Sequence, residues 1–258
     1  FLGIHQISPV VGSLLTIFVV IVITNSFNLI DGIDGLAAGI GILTSLALGI
    51  WFYYIGQYQL AIISVAITGA YLGFFLFNVS KGENKIFMGD TGSLILGFGL
   101  AYLIVHFNEL NLVGQKMNIS SAPAVSFGIL IVPLFDTLRV FLLRVLRGKS
   151  PFNPDKQHVH HRLLHLFDSH RKTTITILLF NLIFIGLVFL LQNLAIIELM
   201  LVEVVIAGIF SYLPVMIIRK KENRPILSFD SDWMIHPEVQ NNGKHQEQAK
   251  TTYTRIDV

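Results

Sequence analysis

The sequence predicts an all-α fold, a polytopic transmembrane helix bundle of about seven spans. Three observations predict it. Apolar residues make up 53% of the 258 residues and charged residues only 13%, where a soluble domain carries about a quarter. Mean hydropathy is +0.68. Apolar runs of about 20 residues, the length that crosses a bilayer, recur along most of the chain.

The runs lie near 9–29, 36–56, 59–79, 91–107, 122–147, 173–192 and 194–218. The fourth is short and the fifth long. Pro133 inside the fifth predicts a kink or break, because proline removes a helix hydrogen bond and its ring clashes with the preceding turn. From Arg219 onward the chain turns polar, rich in Asn, Gln, Lys and Asp, so 219–258 reads as a disordered tail. Cysteine is absent, which excludes disulfides and thiolate metal sites. The chain begins at Phe1 and runs at once toward an apolar segment, with no signal-peptide pattern. The expectation is an N-terminally truncated piece of a larger bundle.

Seven spans alternate sides, which assigns every loop. Residues 30–35, 80–90, 148–172 and the tail share one side; the N-terminus, 57–58, 108–121 and 193 share the other. Of the 18 Lys and Arg residues, Lys116 alone falls on the second side. Short loops rich in Lys and Arg are cytoplasmic, so the first side is the cytoplasmic one.

Three polar segments with unusual chemistry fall on that side. The first is Asn28-Leu29-Ile30-Asp31-Gly32-Ile33-Asp34-Gly35-Leu36. Charge at the end of a membrane helix is costly unless it meets water, a metal or a substrate. Asp31 and Asp34, at i and i+3, can share one helical face. Gly32 and Gly35 leave room for a bulky ligand against the backbone. A capping loop is the plain alternative, with Asp as N-cap and Gly as turn former.

The second segment is Phe87-Met88-Gly89-Asp90-Thr91-Gly92-Ser93, opening the fourth span. A helix N-terminus binds phosphate through its free N–H groups, and a carboxylate there suits Mg²⁺, which takes one or two carboxylates plus phosphate oxygens. Asp90 as a simple N-cap is the alternative. Gly92, Gly97 and Gly99 form neither a P-loop nor a dinucleotide fingerprint and are expected to permit close helix packing.

The third runs from Pro151 to His165. Asn153 as N-cap and Pro154 at the first helical position would start a helix there. His158, His161 and His165 then share one face, while Val159, Leu163 and Leu166 share another that can rest on the membrane surface. Arg162 offers paired donors to a diphosphate, and the histidines can donate to phosphate or move a proton. A zinc site is a poorer fit, because HExxH is absent and Arg162 intrudes; a solvated basic loop is the plain alternative. Of the remaining polar residues, Asn78 is a nucleotide ligand or a cap, Asp136 and Arg139 form an i, i+3 ion pair, and Glu203 lies inside the last span with no partner named by the sequence.

These three segments, in this order and topology, resemble the polyprenyl-phosphate N-acetylhexosamine-1-phosphate transferases. Residues 28–36 are similar to that family's Asn-x-x-Asp-Gly-x-Asp-Gly-Leu segment, and Phe87–Leu94 to its Phe-Met-Gly-Asp-Thr-Gly-Ser-Leu segment. His158–Leu164 is similar to the His-x-His-His-Arg form of the bacterial GlcNAc-1-phosphate branch. The resemblance runs from about Asn25 to His165. It implies transfer of a HexNAc-1-phosphate from a UDP-sugar to undecaprenyl or another polyprenyl phosphate, with release of UMP. It implies Mg²⁺ as cofactor, with Mn²⁺ as a substitute. Asp90 and Asn28 would be the metal ligands, and Asp31, Asp34, Asp90 and His158 the catalytic set, with Asp31 and Asp34 beside the nucleotide. Asn78 would position the nucleotide, and His160, His161 and Arg162 would hold the diphosphate alongside His158. Residues 1–218 would be the transmembrane catalytic domain, with the 148–172 loop inside it, in a bacterial inner membrane. The implied partners are the UDP-sugar and the lipid, with no nucleic acid; a homodimer is compatible.

One departure stands out. Family members carry an Asp-Asp pair in an earlier cytoplasmic loop, and no such pair occurs in this chain. Two other readings follow from the residues: an ion-coupled transporter, motivated by Asp136, Glu203 and the Pro-broken helix, or a truncated, inactive paralogue.

Overall fold

A computed structural model describes residues 8–112, 118–148, 150 and 158–221. Among them the chain forms α1 (Pro9–Ile30), α2 (Leu36–Tyr54), α3 (Tyr58–Asn78), α4 (Gly89–Leu112), α5 (Ala122–Ile129), α6 (Ile131–Leu146), α7 (Val159–Phe167), α8 (His170–Leu190) and α9 (Ile196–Lys221), and no strand. Six of these helices are long and apolar enough to cross a membrane: α1, α2, α3, α4, α8 and α9. The expected fifth span is two helices instead, α5 and α6, meeting at Leu130. The break lies three residues before Pro133, whose ring would crowd the carbonyl of Ile129. The last span is helical to Lys221, three residues into the segment expected as tail, and the rest of that tail lies outside the described residues.

Helix α2 packs on α3 and α1 on α4, while α5 and α7 each touch both α8 and α9. Phe27, Phe52, Phe107 and Phe184 are fully buried at these contacts. Trp51 meets Phe107 edge to face with ring centroids 4.5 Å apart. Lipid tails are as apolar as these side chains, so close packing and interhelical hydrogen bonds hold such a bundle together. The hydroxyls of Ser45 on α2 and Thr68 on α3 meet at 2.8 Å. At Gly97 of α4 an added Cβ would lie 2.7 Å from Thr24 Cα on α1, so the two backbones touch there. The outer face of α1, including Val10, Leu14, Ile17 and Phe18, is more than half exposed, as a lipid-facing surface must be.

The bundle has two polar ends. At one, Asn111 Oδ1 accepts from Ile119 N–H at 2.7 Å and the Ser121 hydroxyl donates to the Gln192 carbonyl at 2.5 Å. The other end gathers the three motif segments.

Candidate active site

The last turn of α1 and the first turn of α4 bring the first two motifs together. Asn28 Nδ2 donates to Asp90 Oδ1 at 3.2 Å and to Ser93 Oγ at 3.0 Å. Asp90 sits in the first turn of α4, where the helix dipole favours negative charge. Asp31 follows α1 as its C-cap. Partial burial, and then the nearby Asp90 carboxylate, push Asp31 up to about 6. Amide, carboxylate and hydroxyl oxygens are the hard donors that Mg²⁺ takes, and two carboxylates that repel each other are relieved by a divalent cation between them. The donor set therefore fits Mg²⁺. Among the described residues there is no group of three or more His, Cys, Asp or Glu side chains that would hold a metal without substrate oxygens.

The second half of the first motif is held by its neighbours. Asp34 Oδ2 lies 2.7 Å from Lys85 Nζ and 3.4 Å from His170 Nδ1. The Asp34 carbonyl accepts from Thr174 Oγ1 at 2.8 Å. Gly35 is the N-cap before α2, with φ +75, a left-handed conformation that glycine adopts freely, and its N–H donates to Asn78 Oδ1. Asn78 is buried, and its Nδ2 donates to the Ile86 carbonyl at 2.9 Å. Both sides of the Asn78 amide thus brace backbone, joining the 31–35 loop to the 79–88 loop.

The third motif differs from expectation in its register. His158 has extended backbone (φ −59, ψ 147) and is the N-cap of α7, which begins at Val159. His158 therefore stands before the helix and does not share a helical face with His161 and His165. The proposed start at Asn153 and Pro154 lies outside the described residues. Val159 and Leu163 are buried in the main core, so this face of α7 rests on the bundle, not on the membrane surface. The reason is a carboxylate from another helix. Asp136 of α6 accepts from Val159 N–H at 3.1 and 3.0 Å through its two oxygens and lies 2.9 Å from His158 Nδ1. Arg139 NH2 donates to the same carboxylate at 2.7 Å. The Asp136–Arg139 pair is present, as its spacing predicts; the spacing gave no signal of Asp136's larger role.

The histidine rings form a run. His158 and His160 stack with centroids 5.5 Å apart and planes 9° from parallel; His160 and His161 lie 4.3 Å apart. His160 is buried, and burial above all pulls it down to about 3, so it is neutral. Its Nε2 is buried without a hydrogen-bond partner among the described residues. A Cβ on Gly32 would lie 3.2 Å from that atom and 3.9 Å from His161 Cε1. The space beside Gly32 that suits a ligand is thus taken by a histidine. Asp31 lies near enough to Asp90 to be raised by its charge, while Gly32 abuts His160, so two consecutive residues join the acidic centre to the histidine cluster. Arg162 is buried on the same helix.

Fold and site together define an integral membrane protein whose acidic centre and histidine–arginine cluster meet at one end of a helix bundle. Residues 1–108, which hold the first two of the three motif segments, match the model of glycosyl transferase family 4, in keeping with the resemblance those segments carry. The chain is 34% identical over 170 residues to the undecaprenyl-phosphate alpha-N-acetylglucosaminyl 1-phosphate transferase of Escherichia coli (strain K12), covering 65% of this chain and 45% of that protein. It is 36% identical over 179 residues to the decaprenyl-phosphate N-acetylglucosaminephosphotransferase of Mycolicibacterium smegmatis, covering 64% and 44%. The Mycobacterium tuberculosis (strain ATCC 25618 / H37Rv) protein of the same description is 37% identical over 181 residues, with the same coverage of 64% and 44%. The chain thus spans a little under half the length of these relatives.

Proposed function

We propose that this protein transfers a HexNAc-1-phosphate, GlcNAc-1-phosphate first among them, from a UDP-sugar to a polyprenyl phosphate and releases UMP. An oxygen of the lipid phosphate attacks the β-phosphorus. The bond from that phosphorus to the oxygen bridging to UMP breaks, and a lipid-linked diphosphate sugar remains. The observation that carries the reading is the convergence of the three motifs: Asn28 on Asp90, and Gly32 on His160. The names of the similar proteins support the acceptor and the transferred group.

Phosphoryl transfer needs chiefly positioning and neutralisation of oxygen charge. Asn28 and Asp90 would hold Mg²⁺, which when bound neutralises the diphosphate oxygens. Arg162 and His161 would bind phosphate oxygens from the opposite wall, Arg through paired N–H donors. His158 would accept from the reacting phosphates through Nε2. Asp31 and Asp34 would border the nucleotide, with Asp34 and Asn78 acting through the loops they brace. The positive-inside pattern would put this face in the cytoplasm of a bacterial inner membrane, and the product would start an envelope polysaccharide.

The test uses membranes carrying the full-length protein, UDP-GlcNAc, undecaprenyl phosphate and Mg²⁺, with UMP as readout. Metal-dependent UMP release, reduced at least about a hundredfold by Asp90→Ala, is the expected result. No metal-dependent release with any UDP-HexNAc, or full activity of the variant, overturns the reading. A transporter is the second reading. Glu203 and Asn181 favour it, both buried within spans and without hydrogen-bond partners among the described residues. Solute flux into proteoliposomes without lipid-linked product would establish it instead.

A further inference from the structure

Asp136 belongs to none of the three motifs, yet it is the residue on which the third is built. It is 3% exposed. Its two oxygens take the Val159 N–H, the Arg139 guanidinium and His158 Nδ1, all within 3.1 Å. Apolar side chains, among them Ile131, Phe135, Phe180 and Phe210, line the space around it, and hydrogen bonds strengthen where water is excluded. An ionised carboxylate only accepts, and Arg139 beside it favours that form. His158 Nδ1 must therefore be the donor. From this geometry we infer that Asp136 is a positioning residue, fixing the His158 ring with its proton on Nδ1 and Nε2 left for the substrate.

The capping role alone does not require this. The N–H groups at the start of α7 need an acceptor, because the His158 side chain supplies none, and an asparagine oxygen serves a helix N-terminus about as well as a carboxylate. The bond to His158 is additional, and it is the one that asparagine reverses. An amide N–H in place of the carboxylate would donate to Nδ1 and move the ring proton to Nε2, the wrong tautomer for accepting a proton there. What Nε2 does rests on the transferase reading; which nitrogen carries the proton does not.

The experiment therefore has two arms. ¹⁵N-histidine spectra of the full-length protein at pH 8.5, with His158 assigned by its loss in His158→Gln, report the tautomer directly. The expected ring carries its proton on Nδ1 in the wild type and on Nε2 in Asp136→Asn. A wild-type ring protonated on Nε2, alone or together with Nδ1, overturns the inference without any variant having to fold. In UMP-release assays Asp136→Asn should lower kcat about a hundredfold or more while KM for the UDP-sugar moves less than about threefold. Asp136→Ala should lose thermal stability as well. An Asp136→Asn enzyme with unchanged tautomer or wild-type kcat contradicts the proposal. If the wild type releases no UMP, the transferase reading falls and the spectra alone decide the role of Asp136.

Discussion

Gly32 and His160, 128 positions apart in the chain, are in such close contact that a Cβ on the glycine would stand 3.2 Å from the imidazole Nε2. The histidine has little freedom to retreat, being buried and stacked on His158. Gly32→Ala should therefore displace the ring by a few tenths of an ångström. Small misplacements in a reacting constellation cost heavily, so UMP release should drop about tenfold. Gly73→Ala, where nothing lies within 4 Å of the added carbon, is the control and should be neutral. Equal activity in the two variants would show that the contact does not matter.

Asp34 and Lys85 form a partly buried ion pair at 2.7 Å. It ties the α1–α2 loop to the α3–α4 loop. A double-mutant cycle with Asp34→Ala and Lys85→Ala, read as thermal stability in detergent, should give a coupling of about 1 kcal/mol, since both partners are part-exposed. Strictly additive losses would mean that the pair holds nothing together.

Burial keeps His160 neutral and pulls it down to about 3. In the unfolded chain it would titrate near 6.5. The stability that its neutral form contributes is complete above the unfolded value and is lost as pH falls from about 6.5 toward 3. At pH 5 the loss is about 2 kcal/mol. Wild-type melting temperature should fall between pH 7.5 and pH 5 relative to His160→Asn, which lacks the titrating group. Parallel pH profiles for the two proteins would refute this.

The α1–α4 contact at Gly97 is backbone against backbone, with Thr24 Cα 2.7 Å from an added Cβ. Backbone cannot swing aside as a side chain can. Gly97→Ala should destabilise by about 2 kcal/mol, while Gly69→Ala on α3, with open space around it, should leave stability unchanged or improve it slightly. Matching melting curves for the pair would argue against tight packing of α1 on α4.

The spans and all three motifs were legible because their signals are local: apolar runs of bilayer length, and acids interleaved with glycine between two such runs. What the sequence left hidden depends on contacts across the chain. The start of α7 lies at Val159 because a carboxylate 23 residues earlier, on α6, meets its N–H. No cap preference near Asn153 reports that. Asn78 looked like a ligand or a cap of its own helix, yet both sides of its amide serve two loops. The fifth span divides at Leu130, close to where Pro133 predicts a kink, though proline alone does not tell a bend from two helices. Gly97 was readable as a packing glycine, whereas Gly92 meets mainly Met88 of its own loop.

The Asp34 carbonyl accepts from Thr174, 140 positions later in the chain, and its carboxylate waits on Lys85 and His170. A chain synthesised from its N-terminus exposes this loop long before its partners leave the ribosome. Until α8 is inserted, the carboxylate of Asp34 lacks His170 and its carbonyl lacks Thr174. The site is thus among the last parts of the bundle to be completed, and a ribosome stalled before residue 170 would carry helices α1 to α4 in the membrane with the loop still open to water.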